Sequence, residues 1–164
     1  MAPSYPGGSG SLAAFRRHPL HPMLVPLPIS FLVGAFVSDV VLASTRDGFW
    51  AEASFWLLIG GFGAGVLAAI PGAVDLLRVE RAGSLPAALV HGLGNILALL
   101  IAFANLALRW DQQSSSVMWT GLALSTIIVT ILLVTSWVGG ELAYKHGVGV
   151  STSIGEGSPR DGSA

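Results

Sequence analysis

The stretch His18-Pro19-Leu20-His21-Pro22 offers the most chemistry, because two of the chain's four histidines meet its densest proline run there. Proline fixes φ and removes an amide donor, so Pro19, Pro22, Pro26 and Pro28 predict a stiff, preset backbone around both imidazoles. Imidazole ligates metals and haem iron, and it titrates near neutral pH. His91 has Asn95 four residues on, hence on the same helical face. His146 follows Glu141, Tyr144 and Lys145. His18, His21, His91 and His146 therefore form the candidate metal or haem site, with Asp75, Asn95, Glu141 and Tyr144 as supporting polar groups. Asp39 with Asn105 makes a second polar layer, read as a structural interhelical hydrogen bond. No catalytic residue is assigned. Ser30, Ser38, Ser125 and Ser136 lie in apolar segments, none in a Gly-x-Ser-x-Gly turn, and the sequence leans away from an enzyme.

The elements that must position these groups are membrane spans. With 52% hydrophobic and 10% charged positions the chain is too apolar for an ordinary soluble domain. Four apolar segments, near 23–42, 55–76, 87–108 and 117–138, each have about the 20 residues needed to cross a hydrocarbon core as a helix. The expected fold is all-α, an integral membrane four-helix bundle over residues 15–146. Tails rich in Gly, Ser and Pro at 1–14 and 147–164 are expected to be disordered.

Four prolines cannot share one ordinary first turn, so a short bent segment at 18–25 is expected to precede a spanning helix from about Pro26. In the second span, Gly61/Gly65/Ala69/Ala73 and Gly60/Ala64/Ala68/Gly72 form rows of small residues at four-residue spacing. Such rows predict close packing within the bundle, with a homo-oligomer face or room for a flat cofactor as alternatives. Trp50, Trp56, Trp110, Trp119 and Trp137 suit the membrane interfaces.

An even number of spans puts both termini on one side. That side would carry Arg16, Arg17, Arg78, Arg81, Lys145 and Arg160, against Arg46 and Arg109 on the other. The positive-inside rule then predicts cytoplasmic termini in a bacterial inner membrane, with all four histidines toward the cytoplasm. The net charge of −1 gives no electrostatic support for a nucleic-acid partner. The absence of cysteine excludes disulfides, thiolate metal sites and covalent c-type haem attachment.

His18-Pro-x-His21-Pro, a Pro-x-Pro-Ile helix start, Gly72-Ala73-Val74-Asp75, His91-Gly92-x-x-Asn95 and Gly139-Gly140-Glu141-Leu142-x-Tyr144-x-His146-Gly147 together resemble bacterial membrane proteins of domain of unknown function 2231, over about residues 15–150. The resemblance implies a four-helix membrane domain whose biochemical role is not established, with some relatives joined to Rieske-type iron–sulfur domains. That association tilts the functional reading toward redox work.

Three functions follow. The first is a redox or metal module in which His91 and one or more of His18, His21 and His146 hold haem b or a divalent metal. Against it, the spacing shows no paired histidines deep on two facing helices. The second is a non-catalytic scaffold in the lipid bilayer whose polar end docks a partner such as an electron-transfer protein. The third is a small proton or ion transport element using Asp39, Asp75, His91 and Glu141.

Overall fold

A computed structural model of the chain describes residues 11–16, 18–79, 83–110 and 115–148. A two-residue strand pair comes first: β1 (Ala14–Phe15) runs antiparallel to β2 (His18–Pro19), with Ala14 opposite Pro19 and Phe15 opposite His18. The helices follow: α1 (Leu20–Leu24), α2 (Pro26–Thr45), α3 (Gly48–Arg78), α4 (Pro86–Arg109) and α5 (Ser115–Tyr144).

Four stretches among the described residues are long and apolar enough to cross a membrane: Leu20–Thr45, Gly48–Arg78, Pro86–Arg109 and Met118–Tyr144. A short helix precedes the spanning helix that starts at Pro26, and Val25 between them keeps helical φ and ψ. Pro26 and Pro28 occupy the first turn of α2, where missing amides cost nothing, and α1 ends immediately before them. Residues 11–14, read as tail, are described from Ser11 onward and touch α3. The rest of both tails lies outside the described residues.

The helices pack as an antiparallel ring. α2 packs closely on α3 and α4 on α5, while α2–α5 and α3–α4 contacts join the two hairpins. The core is a thin apolar layer of Leu32, Ala35, Leu58, Ala98, Ala102, Ile128 and Leu132. Leu67, Leu100, Leu133 and Trp137 point outward, as lipid-facing side chains must. Between helices in lipid there is little hydrophobic drive, so close approach and polar contacts decide association. The glycines of α3 supply the approach: a Cβ on Gly61 would stand 2.7 Å from the Leu32 side chain, and one on Gly65 would collide with Leu99. Both are spent inside the bundle, the packing role expected of these rows.

At the end of the bundle away from the histidines, polar contacts close a network across α2 to α5. Arg109 forks onto Asp39, Nη1 to Oδ1 and Nη2 to Oδ2, both at 2.8 Å. Arg109 Nη1 also donates to Ser54 Oγ at 2.8 Å and Nε to Asn105 Oδ1 at 2.9 Å. Asn105 Nδ2 donates to the Gly121 carbonyl and to Ser125 Oγ, each at 3.1 Å, and Ser125 donates to Asp39 at 2.5 Å. Asp39 and Asn105 thus share one layer, as expected, but through Arg109 and Ser125 rather than directly. The Asp39 side chain is 2% exposed and that of Arg109 9%.

Arg109→Ala strands a buried carboxylate. The loss should lie well above the roughly 0.6 kcal/mol of an average interhelical hydrogen bond in a membrane and near the about 3 kcal/mol of a broken buried ion pair. Helicity followed through a detergent-unfolding titration measures it, with lipid-facing Leu133→Ala as the control; equal losses in the two variants would mean the network carries no weight.

Candidate functional site: a pinned histidine pair

His21 sits in the single turn and a half of α1, and α1 lies on α3. Its Nδ1 is 2.8 Å from the Ala68 carbonyl. Pro71 lies inside α3 and leaves the Leu67 carbonyl, next to that of Ala68, without its helical amide. Side-chain donors commonly satisfy carbonyls around such a proline in a membrane helix. Gly72 completes the seat: a Cβ there would stand 2.8 Å from His21 Nδ1.

His91 is held in the same manner by the other hairpin. Its Nδ1 is 2.8 Å from the Thr135 carbonyl of α5. A Cβ on Gly139 would stand 2.8 Å from His91 Cε1 and 3.0 Å from Nδ1. A carbonyl only accepts, so both rings carry the proton on Nδ1 when neutral and turn Nε2 into a base or ligand atom.

Asn95 reads that tautomer. Its Nδ2 donates to the His91 carbonyl at 2.7 Å and approaches His91 Nε2 at 3.3 Å. Thr135 Oγ1 lies 3.2 Å from Asn95 Oδ1 and donates to it, which fixes the amide orientation. The two imidazoles meet edge to face, with centroids 6.1 Å apart and planes at 90°. The two rings meet at the entry of the bundle, from the short α1 and the early turns of α4, and not as a pair deep on two facing spans.

The other candidates are placed differently. His18 is exposed, and its Nδ1 faces the Arg16 carbonyl at 3.0 Å, closing the strand turn in which Arg16 takes a φ of 50°. His146 is half-buried just past α5, Glu141 pairs with Lys145 on the helix surface, and Tyr144 is exposed. Among the described residues no hydrogen bond or ring contact joins these four to the pair, and no three His, Asp or Glu side chains converge as a metal cluster. The four-histidine convergence expected from orientation thus reduces to His21 and His91.

Asp75, one turn beyond Gly72 on α3, grips the segment before β1. It accepts from Ser11 Oγ at 2.7 Å, Leu12 N at 2.9 Å and Ala13 N at 3.1 Å. The Ala13 carbonyl in turn accepts from Leu20 N at 2.9 Å. A chain of bonds so connects α3 to the start of α1 and steadies His21. Thr135 was missed from sequence; its one signal is a hydroxyl four residues before Gly139 in an apolar span.

Residues 17–152 match the family described as predicted membrane protein (DUF2231). The chain belongs to that family. The match covers both pinned histidines, their glycines and the Asp39–Arg109 network. No curated protein and no solved structure matches the chain.

Two outcomes check the site. Side-chain nitrogen NMR of histidine-labelled protein should show His21 and His91 as Nδ1–H tautomers; an Nε2–H signal for either would contradict the pinning. Asp75→Ala removes three charge-assisted acceptor bonds, so amide exchange at Leu12 and Ala13 should accelerate by about tenfold or more.

Proposed function

We propose that the protein is a membrane redox or metal module in which His21 and His91 ligate one metal centre, haem iron or a divalent ion, near the cytoplasmic face of a bacterial inner membrane. The observation that supports this reading is the pair of Nδ1–H bonds to main-chain carbonyls. Metal-ligating histidines commonly anchor one ring nitrogen in this way, which fixes the tautomer and raises the basicity of the other. The two rings also come together, with centroids 6.1 Å apart.

His21 and His91 would match the imidazole ligation that haem iron accepts, but would give only half the protein donors of a closed tetrahedral metal site. Haem iron is therefore the better match to the donor set. Such a group would supply one-electron chemistry; the chain's own residues orient the rings through Ala68 and Thr135, and leave room through Gly72 and Gly139. Ligation at His91 requires the Asn95 amide to release Nε2, and its 3.3 Å contact is the weakest in the cluster. An electron-transfer protein is the partner this reading calls for.

The orientation rests on charge. Arg16, Arg78 and Lys145 lie at the histidine end, with Arg17, Arg81 and Arg160 on the same side by sequence, whereas Arg109 at the other end is engaged by Asp39. The positive-inside rule assigns the histidine end to the cytoplasm.

One observation favours a scaffold instead: among the described residues no buried side-chain nitrogen or oxygen lacks a hydrogen-bond partner. Absorbance of detergent-purified protein, oxidised and dithionite-reduced, with elemental analysis on the same sample, separates the readings. The metal reading expects a sharp reduced-state haem band or a stoichiometric metal, lost in His21→Ala and His91→Ala and kept in His18→Ala and His146→Ala. A flat spectrum without metal would hand the site to the scaffold reading.

A further inference from the structure

His21 and His91 are seventy positions apart, and so are Asp39 and Arg109. The coincidence extends through both helices. Buried Pro28, Leu32 and Ala35 of α2 fall, at that spacing, on buried Ala98, Ala102 and Asn105 of α4. In the second helix of each hairpin the spacing is 67: buried Ser54, Leu58, Gly61, Gly65 and Ala68 of α3 fall on buried Gly121, Ser125, Ile128, Leu132 and Thr135 of α5. The carbonyls that hold the two histidines, Ala68 and Thr135, are one such pair. The glycines beneath the rings, Gly72 and Gly139, are another. The difference of three means that the chain between equivalent positions is three residues shorter in the second hairpin: Asp39 to Ser54 is fifteen positions, Arg109 to Gly121 twelve.

We infer that the domain is one helical hairpin present twice, α1–α3 and α4–α5, around a pseudo-twofold axis along the bundle, and that His21 and His91 are equivalent donors to a single metal centre on that axis. The ligand part rests on the metal reading above; the duplication does not. The contacts have the required symmetry, because a rotation exchanging the hairpins exchanges the α2–α5 and α3–α4 contacts. The pairs that meet across the middle, His21 with His91 and Asp39 with Arg109, are those the rotation interchanges.

Divergence between the halves follows packing. Most core equivalents pair a large residue with a small one: Leu32 with Ala102, Leu58 with Ser125, Ile128 with Gly61, Leu132 with Gly65. Large against small across facing positions fills a core without voids or clashes. Charge follows the same rule. Two identical hairpins would set Asp39 against a second Asp, an unaffordable pair in a buried layer, whereas Asp against Arg closes it. The far-end ion pair is thus the specificity element that makes each hairpin the other's partner.

Exchange of the two charges tests the duplication. Asp39→Arg and Arg109→Asp should each lower the melting temperature or abolish monodisperse expression. The double exchange, Asp39→Arg with Arg109→Asp, should recover at least about half of the lost melting temperature, or restore monodispersity where the single variants lack it. Gly72→Ala and Gly139→Ala, milder changes, should cost similar melting shifts. A double exchange no better than the worse single variant, or a glycine effect confined to one hairpin, overturns the duplication.

Haemin and cobalt(II), titrated separately into the purified full chain, test the shared centre. The expected result is one equivalent bound of one probe, weakened about tenfold or more and to a similar degree by His21→Ala and by His91→Ala. Two equivalents, or dependence on one histidine alone, overturns the shared centre. Failure of both probes with a successful charge exchange overturns the metal reading while the duplicated bundle stands.

Discussion

A buried carboxylate in a membrane bundle must be neutralised where it sits, and Asp39 sets that condition for the far half of this protein. Its charge is met by a forked guanidinium from a helix in the other hairpin. Meeting it commits Arg109, whose remaining donors commit Ser54 and Asn105, whose amide commits the Gly121 carbonyl and Ser125, whose hydroxyl returns to Asp39. Each donor in this loop finds an acceptor, so the network is stable as a whole and poor if any member is lost. Gly121 belongs to the same constraint, since a side chain there would overlap the Arg109 guanidinium. The register of all four helices follows from one ionisable residue.

The histidine end obeys a different requirement. There each imidazole is held by one strong bond to a carbonyl, with a glycine cleared beneath it. One nitrogen of each ring is fixed and the other is left as a base. For His21 nothing among the described residues takes that second nitrogen, and for His91 a long amide contact does.

Hydropathy made the four spans legible, because bilayer thickness fixes their length. It did not fix helix ends: α3 starts at Gly48, capped by the Asp47 carboxylate accepting from Phe49 N, and α5 continues to Tyr144, both beyond the apolar segments. The helix start at Pro26 was legible because proline geometry is local. His91 with Asn95 was legible because helical spacing is local too. The pairing of His21 with His91 was not, since contacts between elements far apart in sequence depend on packing. Arg109 read as an end marker for a similar reason: hydropathy locates a charge near an interface but does not say whether its side chain turns to water or to a buried partner.

The two polar ends are about 15 Å apart along α4, at the rise of a helix over the ten residues from Asn95 to Asn105. Between them lies the apolar layer of Leu32, Leu58, Ala98, Ala102, Ile128 and Leu132. Among the described residues of that layer there is no titratable side chain to carry a proton across, and Asp39 is already bound by Arg109. A relay from Asp75 and His91 through to Asp39 would have to cross that gap without donors or acceptors. The histidine pair therefore communicates with its own end of the bundle, where the Asp75-held segment and the start of α1 meet the membrane surface. Under the proposed metal reading, exchange of electrons or of a ligand would be confined to that end, because the apolar layer separates it from the Asp39 network.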